Sequence, residues 1–316
     1  MEHDPNEGHS MNFMRAAMAG NDAAPVRPKE EPKPLAKPLE IPGWAQVTHQ
    51  VALGTETFTV KISLPLSYNT PEGKSEKYNV VYILDEQDGV FSTFTASTRN
   101  NFAMIRPLDK RQWFPEFIVA TAKRDKGEPP PAEFMLPLVC NNLVPLVDSN
   151  FRTNPYAAGR ALCGFSGIAK EMVYKALEDE AAIKTFNSYL AGVQAIGTSG
   201  ELPTLPEKFG CFLAIGLADG EEPIKAAKAT KAALEARAGV GKELTDTVMQ
   251  VDRYGEQHYR QEAKLGAAVH LEEVPGKASS VLGWAFAEKG ALWLGERLEA
   301  QKLERLGGLL PWHEFK

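Results

Sequence analysis

Cysteine is scarce in this chain of 316 residues: Cys140, Cys163 and Cys211 each stand among apolar neighbours, and none is in CxxC spacing. An odd, scattered set argues against a disulfide framework or a zinc site. It suits reduced packing residues in an intracellular, reducing compartment, the cytoplasm by default. No apolar run approaches the length that crosses a bilayer, so no membrane span is expected. The opening stretch MEHDPNEGHSMNFMRAAMAG begins with acids and has no apolar signal core, which argues against secretion. Dense Lys/Arg tracts are also missing. With 35 basic and 41 acidic residues, the formal charge is −6, so neither a nucleic-acid partner nor an electrostatic hold on anionic membranes is expected. The chain has no HExxH, no EF-hand loop, no GxGxxG after a strand and no Cys/His cluster with metal spacing, so no cofactor or metal is expected. GVGKEL at 239–244 lacks the upstream glycine and the Ser/Thr of a phosphate loop, and it follows a helix.

What is present is 43% hydrophobic and 24% charged residues, the balance of a globular protein. Residues 1–40 stand apart. AAPVRPKEEPKPLAKPLEIP mixes proline, lysine and glutamate with few large apolar groups and cannot bury enough surface to fold alone. This reads as a flexible arm and a candidate contact for a protein partner. The folded domain is expected over 41–316. WAQVTHQVAL and ETFTVKISLPLSY alternate around Gly54 as an antiparallel hairpin. YNVVYIL, EFIVATA, RALCGF, FGCFLAIGLAD and GAAVHLEEVPG are apolar runs of buried parallel strands. Helical patterns fall near 90–104, over a proline-interrupted 133–149, after residue 167, over 221–238 and over 281–299. Strand and helix alternate, so a doubly wound, mostly parallel α/β sheet with an N-terminal antiparallel hairpin is predicted.

In ALCGFSGIAKEMVYKAL a buried strand breaks sharply into an amphipathic helix, with Ile168, Met172, Val173, Ala176 and Leu177 on one face. A serine sits at the break. The G-x-S-x-G pattern of a nucleophile elbow is half kept: Gly164 precedes Ser166 by two, but Ile168 stands at the second glycine and Gly167 comes one place early.

From about residue 45 to 299 the chain resembles the esterase D-like and siderophore-esterase-like group of α/β-hydrolases. The resemblance is carried by ISLPLSY, NVVYILDEQDGVF, NNLVPLVDSNFRT, GRALCGFSG, AIGLADGEEP and EEVPGKASSVLGWAFAEKGALWL, in that order. It implies the α/β-hydrolase fold, with Ser166 as nucleophile and Asp219 as the acid that orients a histidine. It implies oxyanion donors from the N–H of Gly167 and from the turn at Asp85, Glu86 and Gln87. Glu86 stands where such esterases often carry glycine, and an inward carboxylate there would oppose the oxyanion.

The resemblance fails at the base. Such esterases place the histidine after the last strand, and aligning EVPGKASSVLGW on that loop puts Ala278 there, with Lys277 and Ser279 on either side. Elsewhere, His258 in RYGEQHYRQ reads as part of a polar helical segment and is a weak substitute base, as is Lys277. His270 lies in the last strand in a structural setting, His49 in the opening hairpin, His3 and His9 in the arm, and His313 near the C-terminus. Two functions follow. In the first, the chain is an esterase-like homologue that has lost its histidine and acts as a non-catalytic binding or structural subunit. In the second, it is a serine hydrolase of small carboxylic esters or thioesters, using Ser166 and Asp219 with a non-standard base.

Overall fold

A computed structural model describes residues 46–53, 56–84, 90–92, 94–95, 116–125, 131–165, 167–193, 203–240, 245–251, 257–263, 266–276 and 283–305. The 1–40 arm lies outside them. Ten strands are described: β1 (Gln46–Leu53), β2 (Glu56–Ser63), β3 (Asn79–Ile83), β4 (Phe117–Arg124), β5 (Arg160–Gly164), β6 (Ser188–Gly192), β7 (Gly210–Gly216), β8 (Thr245–Val251), β9 (Gln257–Ala263) and β10 (Ala268–Val274). Eight of them form one sheet in the order β1-β2-β4-β3-β5-β6-β7-β10. β1 and β2 pair antiparallel, β2 and β4 antiparallel, and every other neighbour parallel, so β2 alone runs against the rest. β8 and β9 form a separate antiparallel pair.

The central strands are apolar at almost every position because both faces of the sheet are covered. On one face Val80, Tyr82, Leu162, Tyr189 and Leu213 pack with the helices that follow β4 and β5. These are α1 (Ala132–Leu138), α2 (Val144–Asn150), α3 (Gly167–Ala176) and α4 (Glu180–Thr185). On the other face Val81, Ile83, Cys163, Leu190 and Phe212 meet Val90, Phe91 and Phe94 and the apolar side of α6 (Gly283–Arg305). The remaining helix, α5 (Glu221–Ala238), follows β7. The period-2 alternation of each strand sorts its residues between the two cores.

Two prolines shape the stretch between β4 and β5. Pro137 lies inside α1 and Pro145 at the start of α2, and neither can donate to the helical ladder. A π turn at Val139–Leu143 joins the two helices and absorbs the mismatch. Below the sheet, the Arg160 guanidinium at the start of β5 pairs with the Asp148 carboxylate and donates to the Pro155 carbonyl at 2.9 Å. Asp148 also accepts from Thr153 Oγ1 at 2.6 Å. Buried Arg297 of α6 donates to the carbonyls of Lys208 (2.6 Å) and Phe209 (2.8 Å), which ties the last helix to the root of β7. Among the described residues, no helix is long and apolar enough to cross a membrane.

Candidate active site

The C-terminal edge of the parallel strands is where a sheet of this kind presents chemistry. β5 ends at Gly164 and α3 begins at Gly167, so only Phe165 and Ser166 separate strand from helix. Ser166 lies outside the described residues, but its frame does not. A Cβ on Gly164 would lie far inside contact distance of the Ala169 carbonyl, and one on Gly192, at the end of β6, inside that of the Phe165 carbonyl. Both glycines therefore let the turn pass close to its neighbours. Gly167 takes φ +52°, the left-handed region that favours glycine. The buried Tyr174 hydroxyl donates to the Gly192 carbonyl at 3.3 Å, linking α3 to β6. Sequence reasoning missed Gly192 and Tyr174. The only trace of them is the small-residue pair Ala191–Gly192 at the end of a strand that went unrecognised.

Asp219 and the chain segments that lead to the remaining assigned positions lie along the same edge of the sheet. The Leu84 N–H donates to the Cys163 carbonyl at 2.8 Å, so the chain leaves β3 beside the end of β5 just before Asp85, Glu86 and Gln87. Those three residues lie outside the described set. Gly167 is the first residue of α3, whose opening N–H groups point their partial positive charge toward the turn. Asp219 is half-buried at the end of a 3-10 turn, Leu217–Asp219, that follows β7. It directly precedes Gly220 (φ +97°) and the N-terminus of α5. β6 alone separates β5 from β7, so those two strands lie about 10 Å apart. β10 runs beside β7 with Val274 opposite Gly216, so the chain that continues to Lys277 and Ala278 departs next to the turn of Asp219. Both of those residues lie outside the described set.

The described histidines stand elsewhere. In the register across the sheet, His270 lies in the row Cys163–Leu190–Phe212–His270, three strand spacings or about 14 Å from β5. Its ring stacks on Phe212 with centroids 5.2 Å apart, and its Nε2 lies 3.2 Å from Glu272 Oε2. The Lys289 ammonium also donates to Glu272. Burial works to raise the Glu272 carboxyl, but the hydrogen bonds from Lys289 and His270 outweigh it and hold it below the usual carboxylate range. His258 requires a correction: its segment is strand β9, with His258 opposite Gln250, not a helix. The polar run QHYRQEA has no apolar alternation to mark it as a strand, so its pairing with β8 is a tertiary effect. His49 lies on β1, at the far edge of the sheet.

None of the three cysteines is in a disulfide. Burial pushes the Cys140 thiol up to about 11 and the Cys211 thiol up to about 12, so neither is a ready nucleophile. Among the described residues, no group of three or more His, Cys, Asp or Glu side chains is placed to hold a metal ion.

No family model and no curated protein matches the chain. Solved structures do. The siderophore hydrolase EstA from Aspergillus nidulans matches with a TM-score of 0.52 at 14% identity, over 79% of this chain and 94% of that one. An IroE-like serine hydrolase from Shewanella oneidensis matches with a TM-score of 0.52 at 18% identity, over 80% of each chain. A ferulic acid esterase matches with a TM-score of 0.50 at 12% identity, over 81% of this chain and 98% of that one. Strand order, crossover pattern and these neighbours agree: the chain has the fold of the esterase-like α/β-hydrolases.

Proposed function

We propose that the chain is an esterase-like α/β-hydrolase homologue that has lost its catalytic histidine, with Ala278 in that place, and acts as a non-catalytic binding or structural subunit. One observation carries this reading. The segment that leaves β10 beside the turn of Asp219, GKASSVLGW, contains no imidazole. A serine hydroxyl with no base beside it keeps its proton, and losing a triad member lowers the rate by about 10⁴ to 10⁶. His270, the described histidine of β10, is already engaged by Phe212 and Glu272. The proline-, lysine- and glutamate-rich 1–40 arm supplies a contact for a protein partner.

The close packing around the turn favours a second reading. Gly164 and Gly192 keep the room that a nucleophile elbow needs. In this reading Ser166 attacks a small carboxylic ester or thioester and Asp219 orients a non-standard base, His258 or Lys277. The N–H of Gly167 and the turn at Glu86 and Gln87 then receive the oxyanion.

A fluorophosphonate probe separates the two because it labels only an activated serine. On the first reading, the full-length chain labels no more than its Ser166→Ala variant and turns over no p-nitrophenyl ester above that control. Labelling and turnover that both vanish in Ser166→Ala would establish the second.

A further inference from the structure

The two edge strands of the eight-stranded sheet differ in their defences. β10, at one edge, carries Glu272 and Glu273, which pair with Lys289 of α6 and, at 3.2 Å, with Lys228 of α5, so ion pairs flank that strand. β1, at the other edge, reads QVTHQVAL: eight residues with no Asp, Glu, Lys, Arg or Pro. Its register with β2 runs without a bulge from Gln46–Ser63 to Leu53–Glu56. Among the described residues, no strand pairs with its outer side. A long edge free of charge, proline and bulge has none of the devices that keep one sheet from pairing with another, so it suits a strand partner.

Only two residues separate Leu53 from Glu56, so this closing pair is a hydrogen-bonded one, and the pair type alternates from there along the ladder. The Thr57 carbonyl accepts from the Asp125 N–H at 3.1 Å, on the β4 side, as that alternation requires. Gln46, Thr48, Gln50 and Ala52 therefore turn their backbone N–H and C=O groups outward, away from β2. The faces alternate as well. Val47, His49 and Val51 are half-buried beside Ile62, Val60 and Phe58 of β2, whereas Gln46, Thr48 and Gln50 are exposed on the other face. A strand that extends the sheet here must be apolar on the first face and polar on the second.

β1 itself meets both conditions. When two copies pair antiparallel about a twofold axis, opposed residues share a face of the joined sheet. The register centred on His49 uses all four outward residues: Gln46 meets Ala52 and Thr48 meets Gln50 of the other copy, each as a hydrogen-bonded pair. On the apolar face it sets Val47 against Val51, and His49 against its own counterpart. Lacking Asp, Glu, Lys and Arg, β1 sets no fixed charge against its copy. We propose that the chain forms a twofold homodimer by antiparallel pairing of β1 with β1, which joins two eight-stranded sheets and leaves β10 at both outer edges. Four strand spacings, about 19 Å, separate β1 from β5, so this contact is distinct from the candidate active site and does not rest on its chemistry.

Sedimentation velocity of the full-length chain from about 1 to about 200 μM tests this. The expected result is a reversible monomer–dimer equilibrium, since one strand pair makes a small interface. Thr48→Pro removes an outward N–H rather than one that bonds β2, and it should weaken the dimer at least about tenfold. His49→Lys and His49→Glu should each weaken it too, because each sets like charges against each other at the axis. An equal mixture of the two should recover the dimer as a mixed pair. Far-UV circular dichroism that matches the parent shows that each variant is folded. A chain that stays monomeric across this range would overturn the proposal. So would a dimer that folded Thr48→Pro leaves unchanged, or folded His49 variants that dimerise as the parent does or fail to recover on mixing.

Discussion

At the residue scale, Gly164 is the most constrained described position near the candidate site. A methyl there meets the backbone of Ala169, which cannot move without shifting the start of α3. Gly164→Ala should therefore destabilise the protein by about 3 kcal/mol, read as a lower urea midpoint at unchanged slope. The glycine was legible from G-x-S, but its reason was not: sequence shows spacing, whereas the clash is with a carbonyl five residues later. Gly192 was missed altogether, since nothing local marks it. Glu272 gives a pH prediction. Its carboxyl is held below its ordinary value in the folded state, so its stabilisation is present above about pH 4.5, the unfolded value, and fades as pH falls through the lower folded one. Glu272→Gln should be less stable than the parent at pH 7 by about 1 kcal/mol or less, because Lys289 is half exposed. That gap should close as the pH is lowered below 4.5 in parallel thermal melts.

At the element scale, the sheet hangs on polar anchors at its N-terminal edge as well as on its two apolar cores. The Arg160–Asp148 pair joins the start of β5 to the end of α2, with only 11% and 18% of the side chains exposed. Asp148→Asn should lower stability by about 3 kcal/mol by chemical denaturation, because it strands a nearly buried guanidinium among carbonyls. Arg160→Met/Asp148→Leu should lose less than Asp148→Asn alone, since no charge is then left buried. The strands that sequence made legible were the apolar runs YNVVYIL and FGCFLAIG, whose burial on both faces needs no partner to be recognised. β6 escaped notice because SYLAG is short and ends in small residues; its burial comes from lying between β5 and β7. The β8–β9 pair escaped for a different reason. β8, TDTVMQV, carries the Thr and Val of a strand but no apolar run, and polar β9 becomes a strand only by the pairing that runs from Thr245 with Ala263 to Val251 with Gln257.

At the scale of the whole molecule, the proposed reading is that the fold frames a reaction for which one residue, an imidazole, is missing. The order of strands and the crossovers bring three chain ends to one edge: the turn after β5, the turn after β7 and the departure of β10. On the proposed reading, the first two still carry Ser166 and Asp219, and the third carries Ala278 where an imidazole is needed. Restoring that imidazole should therefore restore chemistry. Ala278→His is expected to raise p-nitrophenyl ester turnover by at least about 10²-fold over the parent, with the gain abolished in Ala278→His/Ser166→Ala. If the Glu86 carboxylate faces the developing oxyanion, Ala278→His/Glu86→Gly should exceed Ala278→His alone, because removing a negative charge there strengthens the stabilisation the transition state needs. A parent already as active as Ala278→His would mean that another base serves Ser166 and that the chain is an enzyme as it stands. No gain in either variant would place the defect in the elbow itself, where a proton acceptor has nothing to activate.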